Sequence, residues 1–310
     1  MAKKKLPNTC NRTIVILVAI IVIQSLLLLV SCPRKKEGFP QKQPLKKNSL
    51  SAVKQEKQPT SQARETKKQF VEVQGMQKPE TILTPLTASG KIAIVLDDWG
   101  YNTNNLKFVK EIREPLTLAI LPRRTYSHSV AQAALELGKE AILHLPLEPH
   151  QENSKYSLEP DTILTTMSKS QVLKILESDI KSVPGVKGVN NHMGSYATEN
   201  RPLMKILFLE LKKRRLYFLD SFTGKTVGKD LAKEIGIPYA RRQVFLDNKN
   251  ESNYILGQVE LLAKIAKQTG CAIGIGHDRQ KTLEVLVKAM PELKKRGYRF
   301  VYVSELVAQP

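Results

Sequence analysis

From residue 91 onward the chain repeats one alternation, in which a short and mostly apolar run gives way to a stretch with helical spacing and then to another run. The runs lie at 92–96, 116–121, 141–145, 186–189, 216–219, 271–275 and 298–303. Uninterrupted apolar runs of this length suit strands that are buried on both faces, as in a parallel sheet. The stretches between them predict helices over 127–137, 169–180, 202–214, 256–268 and 282–295. In the second of these, Val172, Leu173, Leu176 and Ile180 share one face, and Asn200 stands where the third needs an N-cap. Gly138, Gly236, Gly270 and Gly297 fall near helix ends, where a left-handed C-cap is wanted. Repeated strand–helix units predict an α/β fold with a parallel sheet, either doubly wound or closed. About seven or eight units in roughly 220 residues favour a barrel-like (β/α) arrangement of about seven strands.

The residues just after each run are chemically loaded. The first run ends in Asp97-Asp98-Trp99-Gly100, and the third carries His144 in His-Leu-Pro-Leu-Glu-Pro. The fourth leads into Asn190-Asn191-His192-Met193-Gly194-Ser195, the fifth into Asp220-Ser221, and the 271–275 run into Gly276-His277-Asp278. In (β/α) folds the C-terminal strand ends meet on one rim, where active sites are built. Two imidazoles and one carboxylate form a familiar ligand set for a catalytic divalent metal, zinc above all. A free carboxylate beside them serves as general base, so the pair Asp97-Asp98 suits one ligand and one base. Plainer roles stand beside these. Asp97-Asp98 also suits a cap on the helix after the first strand, although caps seldom come as pairs, and His144 and His192 also suit satisfied core or rim positions. Asp220 suits a ligand, an orienting partner of a histidine or a turn former, and Glu148 a substrate contact or a solvated loop. Arg241-Arg242 suits a solvated face or a holder of an anionic sugar substituent, while His128 and His150 read as surface residues.

Ahead of this region lie Lys3, Lys4, Lys5 and Arg12, then an apolar run over 14–30 broken only by Gln24 and Ser25. The run is longer than the roughly 7–15 residues of a cleaved signal core and close to the roughly 17–25 needed to span a bilayer. Leu29-Val30-Ser31-Cys32 also looks like a bacterial lipobox. A signal peptide or an uncleaved anchor puts the rest of the chain outside the cytoplasm, in the cell envelope, and an uncleaved anchor or a lipidated Cys32 also leaves it tethered there. Residues 33–90 are rich in Lys, Gln, Pro, Ser and Thr, a composition that cannot bury enough apolar surface to fold, and are expected to form a disordered linker. The net charge is +20, and residues 1–90 hold 16 Lys and Arg against 5 Asp and Glu, which favours anionic headgroups near a membrane. Nucleic acid is not the expected partner, because there is one Trp, no zinc-finger cysteine spacing and no basic helix interleaved with aromatics. Of Cys10, Cys32 and Cys271 only the last lies in the region 91–310, so no disulfide forms within it.

Taken in order, 92–100, 144–149, 190–195, Asp220-Ser221 and 274–277 resemble the successive motifs of the divergent polysaccharide deacetylase family. The resemblance covers about 90–308 and implies an incomplete (β/α) barrel and the removal of acetyl groups from a polysaccharide or other glycan. It further implies Asp97 as base, Asp98 as metal ligand and His277 as the acid that protonates the leaving group. His144 and His192 are the expected remaining ligands of a divalent metal, zinc, while Asp220, Glu148 and Asn191 are expected substrate contacts. The better-known deacetylases draw both metal histidines from a His-x-x-x-His stretch, and no two histidines here have that spacing. Either the ligands come from two strands, or the metal site is altered or absent. A non-catalytic glycan-binding or envelope-organising protein on the same fold is the rival expectation. A glycosidase would instead need two carboxylates flanking one bond.

Overall fold

In the computed structural model, which describes residues 89–150 and 157–307, nine strands form one parallel sheet in the order β6-β5-β4-β3-β2-β1-β8-β7, with β9 pairing β1. The strands are β1 (Lys91–Trp99), β2 (Thr117–Ile120), β3 (Glu140–Leu147), β4 (Gly188–Met193), β5 (Tyr217–Asp220), β6 (Tyr239–Arg241), β7 (Val244–Phe245), β8 (Cys271–His277) and β9 (Arg299–Phe300). Helices α1 (Leu106–Glu111), α2 (Ser127–Glu136), α3 (Lys169–Ser182), α4 (Arg201–Lys213), α5 (Gly228–Ile235), α6 (Ser252–Thr269) and α7 (Gln280–Lys295) connect them. Among the described residues no pairing joins β6 to β7, the two ends of the strand order, so the sheet is an incomplete (β/α) barrel. All seven expected strands are present. The two that sequence reading missed, β6 and β7, have three and two residues, and neither lies in an apolar run as long as those of the other seven.

Side chains alternate across a strand, and here that alternation sorts residues into two layers. Ile92, Ile94 and Leu96 pack outward with helix residues such as Val130, Leu176 and Leu207. Ala93, Val95, Ile142, Tyr217, Leu219, Ile273 and Ile275 pack together on the other, inner face. Below them Glu140 accepts hydrogen bonds from Thr117 Oγ1 at 3.0 Å and Tyr217 Oη at 2.9 Å, which satisfies a buried carboxylate at the floor.

The expected N-terminal membrane segment (1–32) and almost all of the linker (33–90) lie outside the described residues. Among those described, no helix is long and apolar enough to cross a membrane.

The helix ends carry the signals read from sequence. Asn200 caps α4, its side chain accepting the Leu203 amide at 3.0 Å. Ser168 and Gln171 form a capping box on α3, and Gly236 and Gly270 end α5 and α6 in the left-handed conformation. Asn200→Ala should cost about 1 kcal/mol of stability, read as a lower urea midpoint with an unchanged slope, whereas Asn200→Asp should hold the parent's midpoint.

A candidate metal centre at the strand ends

The inner row of each strand continues past its apolar residues into polar ones. After Ala93 and Val95 comes Asp97, after Ile142 comes His144, and after Ile273 and Ile275 comes His277, with Asn190 and His192 in the same phase on β4. Asp97 and His277 are register partners on adjacent strands. Asp97, His144, His192 and His277 line a cleft of about 670 Å³ whose walls also include Asp98, Asn191, Ser195, Ser221, Phe245 and Arg279.

Asp98 is out of phase with this row and would face the helices in a regular strand. Two features turn it inward: the β1–β2 register shifts between Leu96 and Trp99, and Asp98 takes φ 66°. Left-handed backbone at a non-glycine residue costs on the order of 1–3 kcal/mol and persists where the surroundings impose it.

Once turned inward, Asp98 Oδ1 lies 3.2 Å from His144 Nε2 and 3.1 Å from His192 Nδ1, and those two nitrogens are 3.1 Å apart. Three ligand atoms on a tetrahedron with zinc–nitrogen bonds of about 2.0–2.1 Å stand roughly 3.3 Å from one another. The triangle matches that spacing, and its remaining side opens to the cleft. With both imidazoles neutral and their lone pairs turned inward, the two ring nitrogens and the carboxylate oxygen are the donor types that a divalent cation takes. Asp98, His144 and His192 thus form a candidate metal site.

Asn190 orients it. Its Nδ2 donates to Asp97 Oδ1 at 2.9 Å and to Ser221 Oγ at 3.2 Å, which leaves its Oδ1 to accept from His144 Nδ1 at 2.9 Å. With a proton fixed on Nδ1, the Nε2 of a neutral His144 carries its lone pair toward the cluster. The two carboxylates differ in their electrostatics. Burial raises the Asp97 carboxyl above the usual carboxylate range, against the pull of His144 and His277, and a raised pKa is what a general base requires. Burial pushes Asp98 the same way but is outweighed by its hydrogen bonds to His144 and His192, so its carboxyl is held well below that range. Burial works against a charged His144, yet Asp97 and Asp98 bring its pKa up to about 9. At neutral pH a cation must therefore displace a proton to bind.

Asp247, which sequence reading missed, partners His277. Its Oδ1 lies 2.7 Å from His277 Nδ1, and its Oδ2 accepts the His277 amide at 2.9 Å and Thr282 Oγ1 at 2.7 Å. Burial disfavours the His277 imidazolium, but the Asp247 hydrogen bond and charge outweigh it and raise the His277 pKa. His277 Nε2 faces inward, 4.0 Å from Asp98 Oδ2, and its ring stacks on Phe245 with centroids 5.3 Å apart. Asp247 ends the short stretch Val244-Phe245-Leu246-Asp247, an apolar run closing on an acid as at Asp97, and that was the available signal.

The three expected substrate contacts stand differently. Asn191 lines the cleft, while its amide donates to the Met193 carbonyl and accepts the Ser221 amide. Asp220 does not line the cleft. Its carboxylate accepts from the Phe222 amide, Thr226 Oγ1 and Tyr239 Oη. Glu148 Oε2 accepts the Thr165 amide at 2.6 Å and anchors the segment after β3. Arg242 is half-buried against the carbonyls of Ser221 and Phe222. His128 is exposed, and His150 is half-exposed beside Glu199.

The model of the divergent polysaccharide deacetylases matches residues 94–307, nearly all of the described barrel. The chain belongs to that family. An uncharacterised family relative from Escherichia coli K12, YibQ, is 34% identical over 223 residues, which is 72% of this chain and 69% of its own. An uncharacterised protein of Haemophilus influenzae is likewise 34% identical, over 72% of this chain and 80% of its own. Among solved structures, uncharacterised protein ATU2773 of Agrobacterium tumefaciens C58 superposes with a TM-score of 0.66 at 26% identity, covering 70% of this chain and 89% of its own. The two histidines of the candidate metal site stand on neighbouring strands, β3 and β4, and not in one His-x-x-x-His stretch.

The hydrogen bonds around the two histidines make two outcomes testable. Asn190→Ala removes the partner that orients His144 and should weaken zinc binding about 10–100-fold, as measured by competition with a chromogenic chelator. Asp247→Asn removes the charge that favours the imidazolium, so the His277 pKa should fall, and NMR titration of the imidazole checks it. A raised histidine pKa adds stability at low pH that is lost as pH rises through the folded value, and Asp247→Asn should flatten that slope.

Proposed function

We propose that the chain is a metal-dependent carbohydrate deacetylase that hydrolyses acetyl groups from envelope polysaccharide. The observation that carries this reading is the Asp98–His144–His192 triangle, with Asp97 and the His277–Asp247 pair beside it. Membership of the divergent polysaccharide deacetylase family supports it. Asp98, His144 and His192 would hold the divalent metal, zinc in our assignment, which when bound supplies Lewis acidity toward an acetyl carbonyl and a nearby water.

The chain's own groups do the proton work. Asp97, buried and with its carboxyl pKa raised by burial, takes the proton from the attacking water. His277, kept as imidazolium by Asp247, gives a proton through Nε2 to the departing amine or hydroxyl. Because Asp97 and His277 are register partners on β1 and β8, base and acid stand side by side at one cleft. The basic start and the apolar run over 14–30 support a membrane tether, with 33–90 as the spacer that lets the domain reach glycan outside the cytoplasm.

Three variants should separate the roles. Asp98→Asn should lose zinc and activity together. Asp97→Asn and His277→Ala should keep zinc, while acetate release from an acetylated oligosaccharide falls by about 10²–10⁴. Zinc titration of the purified variants beside an acetate assay reads both. Loss of zinc from Asp97→Asn would make both carboxylates ligands. Full activity in all three would remove the rim from the chemistry and leave a glycan-binding protein on this fold.

A further inference from the structure

Four polar contacts hold the two residues just past β5. Asn191 Oδ1 accepts the Ser221 amide at 2.9 Å, and Asp220 Oδ1 accepts the Phe222 amide at 2.8 Å. The Arg242 guanidinium donates to the carbonyl of Ser221 at 2.8 Å and to that of Phe222 at 2.9 Å. Their combined effect is to hold Phe222 at φ 52°, a left-handed conformation that is a genuine outlier for a bulky residue. Such strain in a phenylalanine is expected where the ring gains core packing, yet Phe222 is 40% exposed. The Arg241 guanidinium carbon backs it, 4.3 Å from the ring centroid. Ser221 and Thr223, on either side of Phe222, both line the cleft that holds Asp97, Asp98 and His277.

The distribution of exposed aromatics points the same way. Among the described residues they are Tyr101, Tyr126, Tyr196 and Phe222. Each lies just beyond the C-terminal end of a strand: β1, β2, β4 and β5 in turn. Exposed aromatic area is therefore gathered on the rim that carries the candidate metal centre. A pyranose ring presents a face of C–H groups ringed by hydroxyls, and a ring that is apolar on its face and backed by a charge complements it.

We propose that Phe222 is a specificity-determining residue, the platform on which the sugar next to the reacting one stacks, so that the site takes an extended glycan in preference to a single sugar. This rests on the deacetylase reading. It also gives Asp220, Asn191 and Arg242 a shared role as the residues that position the platform.

The test uses the zinc-supplied full chain and β-1,4-linked N-acetylglucosamine as probe, comparing monomer with pentamer by acetate release. Covering the rest of the ring should be worth about tenfold in affinity. Phe222→Ala should accordingly raise KM for the pentamer about tenfold and leave KM for the monomer in place, while Phe222→Trp restores the pentamer value. Zinc content and thermal midpoint of each variant report an intact fold. If Phe222→Ala keeps the parent's preference for the pentamer, the platform is refuted, and continued acetate release shows that the deacetylase reading stands without it. If the parent releases acetate from neither probe and binds neither by calorimetry, both inferences fail together.

Discussion

The rest of the molecule depends on one constraint, that a strand buried on both faces sends alternate side chains to opposite layers. The outer row of this sheet meets the helices, and the inner row fills a narrow interior with Ala93, Val95, Ile142, Leu219, Ile273 and Ile275. Because the strands run parallel, their inner rows all emerge at the same end. Asp97, His144 and His277 each take the next inward position after apolar residues, Asn190 and His192 follow in the same phase on β4, and so all five arrive at one place without any loop having to carry them there. The apolar layer beneath them also raises the electrostatic stakes, since a poorly screened carboxylate and imidazole interact more strongly than in water.

One residue breaks the alternation, and the site depends on the break. In a regular strand Asp98 would point to the helices when Asp97 points inward. A register shift and a left-handed residue put both carboxylates on one cluster, with separate environments. Asp97 is enclosed and raised in pKa by burial, whereas Asp98 is tied to two imidazoles that hold its charge. Two chemically identical groups become unlike because of their surroundings, the usual way in which a pair of acids is assigned two roles. The strained backbone at Phe222 belongs to the same rim, and there too polar neighbours enforce a conformation that the side chain alone would not adopt.

Much of this was legible from the order of residues. Apolar runs announced β1 to β5, β8 and β9, and Asn200 announced the start of α4. Acid or histidine after a run announced Asp97, Asp98, His144, His192 and His277. The features that escaped were short or indirect. β6 and β7 bury too few residues to leave a run, and α1 and α5, of six and eight residues, are too brief to show a period. Asp247 comes after a stretch whose strand has two residues, so its rule was present but its context was not. Asp220 and Glu148 also stand at strand ends, out of phase with the inner row or past its end, and their carboxylates accept hydrogen bonds from neighbouring loops.

The sequence by itself determined the class of fold, the rim on which chemistry gathers and the residue types available there, because all three arise from local periodicity and from the polarity of the residues that succeed each run. Only the tertiary structure decided which atoms meet. That His144 and His192 stand on neighbouring strands with ring nitrogens 3.1 Å apart is a matter of strand order and register. That Asp98 joins them is a matter of one backbone angle, and that Asp247 lies beside His277 depends on how an irregular segment packs. Distances between residues far apart in the chain depend on packing free energies summed over the whole barrel, and no local pattern encodes that sum.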